Sequence, residues 1–484
     1  MTRFWTRFAV LAGLLTLFVA PLSTAQVPQA PLAEANNAFD KWMAKKDPAY
    51  GWYLHNTIKG QGYTGYVLAM TSQTWRTAAE VDHPLWTHWV IVTVPDNLVP
   101  GRKAFVYIDG GSITEAAPTK VSDRNLKIAT DTHTIAVEVR GVPNEPLKFT
   151  DNPTRGRSED DLIAYAMTRQ VATGDEDWMV RFAMTKAATS GMDAATEFLA
   201  STAGGQHKVD QWVVSGGSKR GWTAWMVAIF DKRVIGVMPI VIDMLNNEAM
   251  VHHHYEVLGF FSAALGDYVN HNIFPHLMGT PELRHVQSIE DPFSYRERAS
   301  MRRVPKYILN AAGDQYFLPD NSQFYYKDLP GSKAMRYVPN AKHDMAGTDV
   351  GDSMVAYYQL ILAGKPAPRY SWVKRSDGTL VVTPRDKPVS ANLWQATNPN
   401  ARDFRVDIIG RAYTSTPLTP QADGTYIGQV AKPAGGYTAF FVELVYDMGG
   451  KYPLKVTSEV SVVPDVTNFK WENAKAQYPF KTPK

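Results

Sequence analysis

Four times between Gln211 and Gly364 a short apolar run gives way to a helix-like one, and that alternation constrains the fold more than any other feature of the chain. "QWVVSGG" precedes "SKRGWTAWMVAIF", "VIGVMPIVID" precedes a long insertion, "PKYILNAAG" precedes "DNSQFYYKDL", and "AMRYVPNA" precedes "DSMVAYYQLILAG". Strands that are apolar on both faces and separated by helices belong to a mostly parallel sheet covered on both sides. The expected core is therefore α/β. Upstream, Tyr63 to Val142 is strand-like throughout, with β-branched and aromatic runs broken by Gly, Pro and Asn. Two helical patterns follow, "SEDDLIAYAMTRQVATG" and "WMVRFAMTKAATSGMDAATEFLA"; in the first, Ser158 and Asp161 stand at capping-box spacing.

Two stretches break the rhythm. Residues 245–303, with "VHHHYEVLGFFSAALGDY", are far longer than an ordinary connection and predict a helical insertion over the site. After "GKPAPRYSW" the runs become short and strand-like, as in "DFRVDIIG" and "YTAFFVELVY", which predicts a β-sandwich of the immunoglobulin or fibronectin kind. With 484 residues the chain exceeds one compact core. The expected division is a domain at 26–365, a boundary between Lys365 and Arg369, and a sandwich at 366–484.

The first 25 residues carry Arg3 and Arg7, an apolar core from Phe8 to Ala20, and small residues up to Ala25. This is the pattern of a secretory signal cleaved after Ala25, and the apolar core is short for a membrane span. The expected location is periplasmic or secreted, with no stable span after cleavage. A formal charge of +3 and the lack of any long Lys/Arg run argue against nucleic acid as a partner. With no cysteine, disulfides, thiolate metal sites and a cysteine nucleophile are all excluded.

In such folds reactive groups collect at the carboxyl ends of the strands, and Ser218 stands there in "VVSGGSKRGW". A serine nucleophile on a tight strand-to-helix turn needs small neighbours. Gly216 supplies one two residues before it, but Arg220 occupies the position two after, and the next glycine is Gly221. Ser218 is thus either such a nucleophile or a helix N-cap. A nucleophilic serine requires a histidine base and an acid to hold it, in the chain order Ser, Asp, His. Asp314, after "YILNAAG", and His343, after "MRYVPNAK", follow the next two apolar runs. Asp320 and Asp243 are rival acids, Asp320 being better placed to cap "NSQFYYKDL". Oxyanion donors are expected from the N–H of Lys219 and from Gly110, Gly111 and Ser112 in "YIDGGSI". Lys219 and Arg220 either add positive charge there or are solvated helix-end cations.

These segments resemble the PhoPQ-activated pathogenicity-related (PqaA-type) proteins, exported α/β-hydrolase-like proteins. The likeness runs from about Ala38 to Asn468, on "WRTAAEVDHPLWTHWVIVTVP", "VPNEPL", "RSEDDLIAYAM", "GGSKRGWTAW", "VIDMLNN", "AAGDQYFLPD", "VPNAKHD" and "GGYTAFFVEL". It implies an α/β-hydrolase fold, with the family's serine, aspartate and histidine at Ser218, Asp314 and His343. The spacing from Gly216 to Gly221 also resembles that of glucuronoyl esterases, where the cation after the serine is associated with the oxyanion site; Lys219 holds that position here. His252, His253 and His254 do not have the i, i+4 spacing of a helical zinc site. They are expected to give the insertion a polar lining over the pocket. Trp222 and Trp225 are expected in the core. The serine is not followed by the S-x-x-K pattern of β-lactamases. The sequence therefore predicts an exported serine hydrolase acting on a small-molecule or peptide ester or amide, without cofactor or metal. The alternative is a non-catalytic hydrolase scaffold used for binding.

Overall fold

The computed structural model describes residues 27–481, so the expected secretory signal lies outside the described residues. In chain order the first elements are α1 (Ala38–Ala44), β1 (Gly51–Gly60), β2 (Tyr63–Thr74), β3 (Leu85–Pro95), β4 (Lys103–Ile108), α2 (Asp123–Thr132) and β5 (Ala136–Arg140). A short ribbon of β6 (Leu147–Phe149) and β7 (Asn152–Arg157) precedes α3 (Glu159–Thr173) and α4 (Val180–Ala200). The alternating part follows as β8 (Gln211–Gly217), α5 (Lys219–Phe230), β9 (Val234–Ile240), the insertion, β10 (Lys306–Ala311), β11 (Lys333–Val338) and α10 (Val350–Leu362). The insertion holds α6 (Asn247–Leu258), α7 (Gly266–Asn270), α8 (Pro281–Glu290) and α9 (Ala299–Arg303).

Nine strands form one sheet in the order β1-β2-β3-β5-β4-β8-β9-β10-β11. The pairs from β1 to β5 across β3 are antiparallel, and every pair from β5 to β11 is parallel. From β4 the chain crosses to β5 on one side and then returns to place β8 on the other. The crevice at the carboxyl ends of β4 and β8 is therefore the switch point where such sheets hold ligands.

Period-two alternation sends the side chains of each central strand to two different cores. Val106, Ile108, Trp212 and Val214 join α4 and α5 in one apolar cluster, which also takes in Trp222 and Trp225. Phe105, Tyr107 and Val213 face the other side and pack with Met354, Val355 and Tyr358 of α10. Burial on both faces is why these strands read as unbroken apolar runs.

Several expectations change in the structure. The stretch expected to be all strand contains α2, whose Ser122 cap accepts from the Asn125 N–H. At Ser158 the capping box is not formed, because the Ser158 side chain makes no cap hydrogen bond and Asp161 is engaged by Arg155, Arg157 and His271. "NSQFYYKDL" forms two short 3-10 turns rather than a helix. The insertion packs on α3 and α5, and Trp222 Nε1 donates to the Glu290 carbonyl at 2.7 Å.

Beyond α10 the strands are antiparallel. Tyr370–Lys374 (β12), Leu380–Pro384 (β13) and Tyr426–Gly428 (β16) form one sheet. Ser390–Asn398 (β14), Thr414–Pro417 (β15), Tyr437–Tyr446 (β17), Leu454–Thr457 (β18) and Ser461–Val463 (β19) form another. Both meet the main sheet: the Tyr370 hydroxyl of β12 donates to the Met335 carbonyl of β11, and Phe441 of β17 lies 6.3 Å from the Tyr337 ring of β11.

Candidate active site

Ser218 sits at φ 55° and ψ −127°, between the last residue of β8 and the first of α5. A β-carbon pays a steric penalty at such positive φ, so this is a held, strained position. The Ser218 N–H donates to the Ile240 carbonyl at 2.8 Å, and its own carbonyl accepts from the Trp222 N–H at 3.0 Å. Its side chain makes no cap hydrogen bond, so it does not act as the side-chain N-cap that serine so often supplies. The irregular glycine spacing has a steric cause. A β-carbon on Gly216 would come within 2.5 Å of the Arg220 carbonyl oxygen, and one on Gly221 within 2.9 Å of the Gly216 oxygen. Gly221 therefore relieves the crowding of the turn one residue later than the usual pattern.

His343, in the loop after β11, lies with Nδ1 at 2.9 and 3.0 Å from the two carboxylate oxygens of Asp314. Asp314 is buried and is itself oriented by the Tyr316 N–H at 2.7 Å. The Tyr316 ring lies 4.3 Å from the His343 ring. With Nδ1 given to Asp314, Nε2 is the nitrogen left for a proton transfer. Ser218 and His343 line the same cavity, of about 430 Å³, together with Tyr107, Arg124, Ile128, Ile240, Val241 and Met354. None of its lining residues comes from the insertion.

The rival acids are engaged elsewhere. Asp320 makes no cap hydrogen bond; it is buried against His253 at 3.0 Å and Arg402 at 2.7 Å, and these two partners hold its carboxyl far below the usual range despite burial. Asp243 accepts from the Tyr325 and Tyr337 hydroxyls at 2.6 and 2.5 Å, and burial pushes its carboxyl up to about 7.

The two cations after the serine are buried and paired, contrary to their reading as solvated or free for an oxyanion. Lys219 Nζ lies 2.5 Å from Glu159 and 3.3 Å from Asp160. The Arg220 guanidinium binds Glu159 at 2.7 Å, faces Glu145 and donates to the Val142 carbonyl. Glu159 is held at φ 55°, and its N–H donates to Glu145 at 2.6 Å. The cations thus tie the start of α5 to the start of α3. Gly110 is where that tie passes, since a β-carbon there would meet Arg220 at 2.8 Å. Gly111 has φ 150° and faces Glu115 and Gly141. Ser112 lines a different cavity, of about 440 Å³, with Trp52, Tyr53 and Trp89.

Nor do the three histidines line the cavity. His252 stacks on Trp471 at 4.0 Å, His253 binds Asp320, and His254 Nε2 accepts from the Ser262 N–H at 3.2 Å. Among the described residues no cluster of three or more His, Cys, Asp or Glu side chains could hold a metal. No helix among the described residues is long and apolar enough to cross a membrane. Sequence reasoning missed Tyr107 and the acidic side of the clamp, Glu145 and Glu159. A tyrosine inside an apolar strand gives no signal of its own, and two cations at a helix start read equally well as solvated charges, so neither pointed to these partners.

Strand order, helices on both faces and a serine turn at the switch point define an α/β-hydrolase fold. Within that class the chain belongs to the PhoPQ-activated pathogenicity-related proteins, whose family model matches residues 39–405. Autocrine proliferation repressor protein A of Dictyostelium discoideum is 34% identical over 459 residues, covering 89% of this chain and 91% of that protein. Among solved structures, acetyl xylan esterase 1 from Thermoanaerobacterium sp. JW/SL YS485 aligns at 14% identity and TM-score 0.46, over 69% of this chain and 96% of that one. A glucuronoyl esterase from Solibacter usitatus aligns at 12% and 0.42, over 70% and 98%.

Proposed function

We propose that the protein is a serine hydrolase that cleaves an ester or amide, with Ser218 as nucleophile, His343 as general base and Asp314 as its orienting acid. The reading rests above all on one observation: a serine strained at φ 55° shares a cavity with a histidine whose Nδ1 is committed to a buried aspartate. In the first half-reaction Ser218 Oγ bonds to the carbonyl carbon, its proton passes to His343 Nε2, and the carbonyl oxygen becomes an oxyanion. The leaving group departs with that proton. Water then attacks the acyl-enzyme, giving a proton to His343; the bond from the acyl carbon to Ser218 Oγ breaks, Oγ takes that proton back, and the acid is released. The N–H of Lys219 faces the oxyanion, as the residue after a nucleophile does in this fold. The apolar walls at Ile128, Ile240, Val241 and Met354 suit an apolar acyl group. Export belongs to the same proposal and rests on the pattern of residues 1–25; a mature N-terminus at Gln26 by mass spectrometry is its test.

Labelling with a fluorophosphonate probe tests the chemistry. Wild type is expected to be labelled, and Ser218→Ala and His343→Ala are not. A folded wild type that stays unlabelled would overturn the reading in favour of the binding scaffold.

A further inference from the structure

Among the polar groups of the switch-point cavity that the proposed chemistry has not used is the Tyr107 hydroxyl, which lies nearest the serine turn. Tyr107 is the penultimate residue of β4, paired in register with Ser215 of β8, three residues before Ser218. Its residue surface is only 7% exposed, yet its hydroxyl finds no hydrogen-bond partner among the described residues and is not sealed in the interior. It lines the cavity that Ser218 and His343 also line. A β-carbon built on Gly217 would stand 3.3 Å from Tyr107 Oη, so the hydroxyl lies directly over the residue that precedes Ser218. The phenol ring is fixed from its other side: the Arg124 guanidinium lies 3.6 Å from the ring centre and is itself held by Asp109 at 3.1 Å.

A hydroxyl that opens on a cavity and has no protein partner is free to donate to a ligand bound there. We propose that Tyr107 is a catalytic residue: its Oη donates a hydrogen bond to the substrate carbonyl oxygen as that oxygen becomes an oxyanion at Ser218. This deepens the serine-hydrolase reading and rests on it. The donor set is then the N–H of Lys219 with the Tyr107 hydroxyl, and Ser112, which lines the other cavity, is not needed. No proton is transferred. Burial pushes the phenol up to about 12, against the nearby Arg124 charge, so the group stays a donor at neutral pH. A fixed dipole aimed at developing charge in a water-poor site acts on the transition state more than on the bound substrate.

The test is Tyr107→Phe, beside Ser218→Ala, with p-nitrophenyl acetate as substrate and phenylboronic acid as a probe that forms a tetrahedral adduct. The variant is expected to lose about 10²-fold in kcat with KM changed by less than about threefold, and to bind the boronate correspondingly more weakly. Its melting temperature should hold or rise, because the lost hydroxyl has no protein partner; a structural tyrosine would instead melt earlier with little effect on the kcat to KM split. Unchanged kcat, or a rise in KM alone, overturns the role. If Ser218→Ala hydrolyses the ester as fast as wild type, both the triad reading and this one fall, which separates that failure from one confined to Tyr107.

Discussion

At the scale of single residues, the strain at Ser218 is the most direct handle on the site. Holding a non-glycine residue at such a φ costs about 1–3 kcal/mol. Ser218→Gly should therefore abolish fluorophosphonate labelling while raising stability in a urea melt by about 1 kcal/mol, a trade that a mere structural serine would not show. Asp314→Asn should leave the fold intact and lower kcat about 10⁴-fold, since the imidazole loses the partner that fixes its tautomer. Asp243 provides a pH test away from the triad. Its folded value of about 7 lies above the ordinary 3.8, so the folded protein binds the extra proton between those values. Stability from this group is complete below about pH 4 and is lost as pH rises to about 7, by at most about 1.4 kcal/mol per pH unit. Asp243→Asn should flatten that part of a stability profile measured by denaturant titration. Ser218, His343 and Asp314 could be singled out in the sequence because each follows an apolar strand in the order the chemistry needs. Tyr107 and the paired state of Lys219 and Arg220 were not, since both depend on which side of the sheet a neighbour lies.

At the scale of elements, helix α6 shows how one sequence motif divides among unrelated tasks. His252, His253 and His254 project in three directions, as successive helical residues must. Burial holds His252 and His254 neutral, with values lowered to about 4 and about 3 from 6.5. An unfolded chain takes up those protons first, so stability falls as pH drops from about 6.5 toward about 4. The expected result is acid-sensitive unfolding whose proton dependence decreases by about one in His254→Gln, measured as the slope of stability against pH. Element type was readable wherever a period held over many residues, as in α3, α4 and the buried strands. Helix α2 was missed because its ten residues lie between two strands in a region dominated by β-branched runs. The position of the insertion could not be read either, since its length gives no direction.

At the scale of the whole molecule, the C-terminal sheets share apolar clusters with the hydrolase core, and Arg402 reaches from them to Asp320 in the loop after β10. Cutting a buried ion pair by removing one partner costs about 3–5 kcal/mol. Arg402→Ala is expected to destabilise by that amount in a denaturant melt. Residues 27–365 alone should lack a single cooperative transition and should bind a hydrophobic dye, because Tyr307 and Tyr337 lose neighbours they are packed on. The change of grammar near residue 365 was visible in the sequence, but the apolar seam across it was not, since strands facing a second sheet and strands facing another domain look alike. The tail extends this dependence. Tyr255 of the insertion donates to Gln477, Asn272 pairs with Lys481, and Trp471 lies on His252, contacts that span more than 200 positions. During synthesis the insertion therefore emerges from the ribosome long before the residues that clasp it, and waits with Phe261, Tyr255 and His252 uncovered. A chain that stops or is clipped before residue 468 would leave that surface open for good, marking the product for proteolysis even if its serine, histidine and aspartate had already come together.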